Sequence, residues 1–587
     1  MITVITSLLT TQEASYMNIN STETIEFLEA LEYSLVRKSS LSVPYWLSKV
    51  GIEPLNRILY VLGKHNLVSS TVAKKYASIS ATEHLHSLIP DITEFRINAK
   101  IKAYGMKCNR EDSPSNLTST PSGIKDTGLD RPGFTYAAKQ EFRLDVDMMK
   151  LHRDMIITNA TKSIEKTILK YEDITLDEAN YRELCTIVID NYIANPRNSY
   201  NMEYNINDQR GRAIYGGLKR IFNPVSSKDA RACLITTRPV VVSKDNATQM
   251  RDIYLFIAEL VGSKADKLGT KMLAGMVAYK RRTLPELHAE ELHEYIWLSR
   301  IYTALDKVMA TGSTLWDIPL EMDASMSLAQ IEGALLNSQE LLVKTNAVKT
   351  ATLQDPWFVE GTRRLAAKAI GTPTFYGSNQ SPMSLLRAKN LEIDRAELAI
   401  LNKEFNTGVF SILKDYKNLL IGNMSIDSPT YTVVGWDETY TVEVNKHKAI
   451  GATLDAYTVW NTETQRDVLF YMHSPIRVPD YDRFRTYAAT GLTHNAESKV
   501  VDNTICTLKA LAEWAIAIHD AILCLPGSNA RKAYSTQLSA LNKVGKEVLI
   551  GYMQSIGATS TKANIELVKL LDKVTPNNLK FSENALK

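Results

Sequence analysis

Apolar residues recur at helical spacing through most of this chain. Ile25, Leu28, Leu31 and Leu35 fall on one face of the segment 22–36, the pattern of an amphipathic helix, and helices with short breaks are expected across residues 22–107. From 109 to 134 the text NREDSPSNLTSTPSGIKDTGLDRPGF is rich in Ser, Pro, Gly, Asp and Asn without any period, which predicts a loop or linker. Helical spacing resumes from about Leu144 to Tyr171 and from Leu176 to Ala194, closed by Asn195-Pro196. Two long helices there predict a hairpin-like projection.

Past residue 200 the pattern changes. Short β-like segments at 200–206, 213–215 and 232–235 alternate with helices expected near 246–279 and 285–310, and a helical stretch follows from about 356 to 424. In TYTVVGWDETYTVEV, residues 430–444, polar and apolar positions alternate around Trp436-Asp437, which predicts a β-hairpin. Near the C-terminus two apolar runs, Ala515 to Ile518 and Ala521 to Leu525, meet at the polar pair His519-Asp520, predicting a tight hairpin with that pair at its tip. The expected fold class is therefore α+β, mainly helical. No internal repeat or low-complexity run interrupts it.

Composition narrows the possibilities. The 587 residues correspond to a prior of about four domain-sized units. With 68 Lys plus Arg against 65 Asp plus Glu, the net charge of +3 excludes a wholesale polycation, so any nucleic-acid contact must come from local patches. The five cysteines are odd in number, far apart and without a C-x-x-C pair, which argues against a disulfide framework or a thiolate zinc site and for a reducing compartment. No run of about 18 apolar residues without a charge occurs, so no membrane partner is expected. The first 36 residues hold several Glu and no Lys or Arg, opposite to a secretory or organelle leader. A cytoplasmic location is the expectation.

Four segments carry candidate chemistry. In WDIPLEMDASMSLAQIEGALL, residues 316–336, a strand from Trp316 to Met322 is expected to end at Asp323, with a helix starting at Ala324 or Ser325. A carboxylate at that junction suits a divalent cation, since oxygen ligands favour magnesium; as a structural residue it would cap the helix. In the second segment Arg364 and Lys368 stand four apart on one helix face, two cations able to clamp a triphosphate, with Tyr376-Gly377 eight residues beyond the lysine and Pro373, expected to break or kink the helix, in between. The third, Asp208-Gln209-Arg210-Gly211-Arg212, sets a glycine between two guanidinium groups, which lets the backbone approach a phosphate. The fourth is His519-Asp520. His288 and His293, at i, i+5, do not share a helix face and form no H-E-x-x-H metal pattern, so a surface helix is expected there, and Lys280-Arg281-Arg282 reads as a helix C-terminal basic cluster.

Taken in order, D-x-x-G-R (Asp208 to Arg212), Asp323-Ala324-Ser325, R-x-x-x-K-x7-Y-G (Arg364 to Gly377) and His519-Asp520 resemble the motifs of single-subunit, phage-type DNA-dependent RNA polymerases, over residues 200–530. The resemblance implies a right-hand polymerase. Its parts would be a helical N-terminal domain at 1–108, the loop 109–134, thumb-like helices at 135–199, palm at 200–349 and 495–587, and fingers at 350–494. It also implies that Asp323 and Asp520 are catalytic and hold two magnesium ions about 3.5–4 Å apart. Arg364, Lys368, Tyr376, Gly377, Lys267 and His519 would contact the incoming nucleotide; Asp208, Arg210, Gly211, Arg212 and His494 would contact nucleic acid. The implied partners are a DNA template, an RNA product, nucleoside triphosphates and a single-stranded-DNA-binding or promoter-recruiting protein, in a bacterial host cytoplasm if the chain is viral.

The nearest alternative is a family A DNA polymerase, which usually has a Glu five residues after the first Asp and another directly after His-Asp. Here those positions are Leu328 and Ala521, and D-x-x-G-R is present. Leu328 and Ala324 also stand where the RNA polymerase family usually has Gly. A rival of another class is a non-catalytic nucleic-acid-binding protein on a polymerase-like scaffold, against which Asp323, Asp520, Arg364 and Lys368 all stand.

Overall fold

The computed structural model describes residues 2–586 apart from 38–39, 74–75, 89–127, 172–177, 195, 197–198, 203, 208–212, 216–223, 226, 264–266, 351, 377, 379, 425–429, 444–446, 519–520, 558–560 and 573–578. The described chain is mainly helical with several small sheets, an α+β arrangement, and no described helix is long and apolar enough to cross a membrane. It divides into two compact units, Met1–Arg110 with His447–Pro479, and Glu111–Lys446 with Asp480–Lys587.

In the first unit the helix Thr22–Arg37 follows the expected apolar stripe: Phe27, Leu28 and Leu31 pack with Trp46, Leu55, Ile58 and Leu62 in one core. To that core the long hairpin His447–Asn461 and Arg466–Pro479 adds Val459 and Phe470, so a segment more than 350 residues further along the sequence completes the N-terminal unit. Asn56 fastens it, its Nδ2 donating to the Thr458 carbonyl at 2.8 Å and its Oδ1 accepting from the Trp460 amide at 3.0 Å. Gly63 allows the approach, since a Cβ there would lie 2.6 Å from Thr462 Cγ2.

The second unit is organised on a three-stranded antiparallel sheet in which Ala521–Cys524 pairs on one side with Ala515–Ile518 and on the other with Leu320–Met322. All residues of the first two strands are buried, as expected for apolar runs covered on both faces. The helix Ser327–Leu335 is buried along its whole length and packs on Ala530–Ser555 and Tyr481–Ala510. The segment 356–424 is helical as expected, and Thr430–Gly435 and Glu438–Glu443 form the hairpin around Trp436-Asp437. Asp437 takes φ 54° there, the left-handed turn conformation that Asp tolerates.

Several local expectations change. The stretch 22–107 is not helical throughout: Val68–Ala73 and Tyr76–Ala81 pair as antiparallel strands, the second also with Leu41–Ser42, and the β-branched and small residues of 68–81 suit a strand. The stretch 316–322 is not one strand: Ser313–Trp316 pairs with Val240–Ser243, and Leu320–Met322 joins the central sheet. Pro319, which has no amide to give, stands at the break, and the Trp316 indole donates to the Ile318 carbonyl at 2.7 Å. The following helix starts at Ser327 rather than at 324 or 325, because Ala324 bridges to Leu586 and the Ser325 amide donates to the Ala585 carbonyl. Asp323 therefore does not cap that helix. Pro373 does not break Arg364–Phe375; it sits in the last turn, and Tyr376 is the C-cap residue.

Candidate active site

A cleft of about 420 Å³ opens at the end of the central sheet. One side is the strand Leu320–Met322 and its exit, carrying Glu321 and the exposed Asp323. Another is Arg364–Phe375, which presents Arg364, Lys368 and, at its C-cap, Tyr376. The first carboxylate, both cations and the tyrosine of the sequence motifs thus line one cavity. The helix keeps its cationic face outward because Ala366, Ala367 and Ile370 face a core of Trp357, Phe405 and Phe410. Leu328 is 3 % exposed and belongs to that same core.

Arg364 Nε donates to Asp355 Oδ2 at 2.7 Å, a pair roughly half exposed on both sides. His494 lies buried on Tyr481–Ala510, its ring stacked on Tyr376 with centroids 5.0 Å apart and planes at 16°. Lys267 stands exposed at the N-cap of Leu268–Arg281. From that helix it is Lys271 that is buried, paired with Glu259, a residue of the cleft wall.

Asp208, Arg210, Gly211, Arg212, Gly377, His519 and Asp520 lie outside the described residues. The strands beside the last two are described. Ile518 pairs with Ala521, and Met322 with Ile522, so Asp323 directly follows a strand whose partner begins one residue after Asp520 in the sequence. Among the described residues no group of three His, Cys, Asp or Glu is placed to hold a metal ion. Asp323 is the one described member of the expected pair, and its oxygen chemistry fits magnesium.

Four further residues lie outside the sequence motifs: His293 and Lys228 line the cleft, and Glu332 and Lys417 lie beneath Tyr376. His293, expected on a surface, is buried and lines the cleft with Lys228, whose Nζ lies 3.5 Å from His293 Nε2. Burial, reinforced by the charges of Lys228 and Arg231, pushes this histidine down to about 3, even though Glu294 lies 3.7 Å from the same ring. It is neutral at neutral pH. Glu332 is fully buried, accepts from Thr493 Oγ1 at 2.8 Å and pairs with buried Lys417 at 3.7 Å. Burial pushes the Glu332 carboxyl up and the Lys417 ammonium down, each opposed by the other's charge. A signal existed for Glu332: it is the single charge in the apolar run Leu328 to Leu336, and a charge on an all-apolar helix demands a partner. Nothing local marks Lys417.

Comparison with known protein families and with curated proteins gives no match.

Proposed function

We propose that this chain is a DNA-templated RNA polymerase of the single-subunit, phage type, with the cleft of the second unit as its nucleotide-addition site. One observation carries the reading: Asp323, Arg364, Lys368 and Tyr376, spread over 53 positions of sequence, line the same cavity. On this reading residues 200–349 and 495–587 make the palm, 135–199 the thumb and 350–494 the fingers, less His447–Pro479, which packs in the first unit.

Each side chain has a task suited to its chemistry. Lys368 and Arg364 meet the triphosphate of the incoming nucleotide, where two cations neutralise charge that grows as pyrophosphate departs. Arg364 must exchange Asp355 for phosphate to do so, and this costs little because the pair is exposed. The Tyr376 hydroxyl supplies a polar contact at the ribose. Asp323 and Asp520 are the residues that would hold magnesium, which when bound activates a 3′-hydroxyl and stabilises the leaving group. With Leu328 in place of an acidic barrier to the 2′-hydroxyl, ribonucleotides are admitted, and preference for them over deoxynucleotides rests on the polar contact from Tyr376.

The test is incubation of purified protein with primed and unprimed single-stranded DNA, magnesium and either ribo- or deoxynucleoside triphosphates. RNA product dependent on magnesium and on template sequence is the expected result. Incorporation of deoxynucleotides alone would identify a family A-like DNA polymerase; binding without synthesis would identify a non-catalytic scaffold.

A further inference from the structure

Tyr376 belongs to a closed ring of contacts reaching below the cleft. His494 stacks on its phenol ring, and the Lys417 ammonium lies over the same ring, 5.5 Å from the centroid. Lys417 comes from Ser411–Asn423 and pairs with Glu332 of Ser327–Leu335. Glu332 in turn accepts from Thr493, the residue preceding His494. Two helices are thus tied, through one acid and one ammonium, to the two rings of the stack.

As a stability device this pair is a poor choice. Its 3.7 Å separation exceeds that of a charge-assisted hydrogen bond, about 2.7–2.9 Å. Glu332 Oε2 and Lys417 Nζ, both buried, make no hydrogen bond in the described structure. Buried pairs held this loosely are often no better for folding than apolar residues of the same volume. What the pair does provide is a cation fixed against one aromatic face, an attraction that strengthens where water is excluded, with its position set by a helix that begins four residues after Asp323. We infer that Lys417 and Glu332 are positioning residues for Tyr376, holding its ring against His494 so that its hydroxyl meets the sugar of the incoming nucleotide, and that sugar selection depends on them. The geometric half of this inference stands without the polymerase reading; the sugar-selection half rests on it.

The experiment uses the full chain carrying Lys417→Met, and Glu332→Gln with Lys417→Met, which leaves no lone buried charge should the single variant fold poorly. One readout is independent of activity: the ¹⁹F resonance of Tyr376 in protein labelled with 3-fluorotyrosine, identified among the 27 tyrosines by its loss in Tyr376→Phe. The other is ribo- against deoxynucleotide discrimination in primer extension, with KM and kcat measured separately. Both variants are expected to shift the Tyr376 resonance and to lower discrimination about tenfold, through a raised ribonucleotide KM with kcat held within about threefold. An unmoved resonance in the double variant overturns the inference whatever the activity. So does a moved resonance with unchanged discrimination in a chain that extends primers. If the unaltered protein adds neither kind of nucleotide, the polymerase reading fails, and the resonance still decides whether the pair positions the ring.

Discussion

Tyr376 and His494 lie 118 positions apart in sequence and stack with ring centroids 5.0 Å apart and planes at 16°. The tyrosine ends the cationic helix and the histidine sits on the helix that leads to the central hairpin, so the stack joins the wall that carries Arg364 and Lys368 to the helix that precedes the central hairpin. Offset stacking of this kind contributes about 0.5–1.5 kcal/mol beyond area burial. It holds a hydroxyl-bearing ring at the cleft wall.

That placement makes Tyr376→Phe informative. The ring keeps its stack and loses only the hydroxyl. Because a site that hydrogen-bonds a hydroxyl strongly rejects substrates lacking it, the variant should use deoxynucleotides more readily relative to ribonucleotides, with little loss of overall rate. Competition between the two nucleotide types on one template reads this directly; unchanged selectivity would assign the sugar contact elsewhere.

Asp323 is exposed at the end of its strand, and surface substitutions of equal size rarely change stability by more than about 0.5 kcal/mol. Asp323→Asn should therefore melt within about 2 °C of the unaltered protein. Its nucleotide addition should fall by at least about a thousandfold, as should that of the unaltered protein with a chelator. Near-normal extension of a primed RNA would remove this carboxylate from the catalytic set.

His293 gives the cleft a signature in pH. In the fold it is neutral down to about 3, whereas the unfolded chain takes up a proton near 6.5. Between those values the unfolded state carries the extra proton, so this residue lowers stability as pH falls through the window. Asp229, pushed up to about 6 chiefly by burial, acts in the opposite sense between about 6 and 4. His293→Gln deletes the first contribution alone. Its stability relative to the unaltered protein should improve by about 3 kcal/mol between pH 7.5 and 4.5, measured by urea unfolding; a constant difference would mean that the imidazole titrates normally.

Two glycines on Ala530–Ser555 should respond with opposite signs. At Gly545 a Cβ would lie 2.5 Å from the Leu335 carbonyl oxygen and 2.8 Å from Leu335 Cα, backbone atoms of the buried helix that follows Asp323. Gly545→Ala must push the two helices apart and should cost about 1–3 kcal/mol. At Gly551 the nearest atom, Val434 Cγ1, is 3.4 Å away, an ordinary contact, and Gly551→Ala should add about 0.5–1 kcal/mol through helix propensity. Thermal melts of both variants test the helix packing beneath the site.

Template form is a further test of the proposed activity. The net charge is +3, which leaves little nonspecific affinity for duplex, since Lys and Arg contacts to phosphate supply most of such binding. RNA yield should be high from a single strand or a pre-opened bubble, low from the same sequence as intact duplex, and raised by a single-strand-binding partner. Efficient, specific initiation on duplex by this chain alone would contradict that.

Periodicity and turn chemistry act between near neighbours, and several of the structures they decide could be read from the residues alone, though not the hairpin Val68–Ala73 and Tyr76–Ala81, read as helix. The helix Thr22–Arg37, the hairpin at Trp436-Asp437, the strands flanking His519-Asp520 and the shared face of Arg364 and Lys368 are of this kind. Each needs only a 3.6- or 2-residue repeat and a residue able to turn. Long-range pairing settled the remainder. Ala324 and Ser325 are drawn into contact with Leu586 and Ala585 instead of starting a helix, and Met322 finds Ile522 across 200 positions. His293 is buried beside Lys228, and Glu332 meets Lys417 under the Tyr376 ring. A charge on one helix carries no local mark of the charge that will face it from another, because their attraction acts through space and exists only once packing has expelled the water between them.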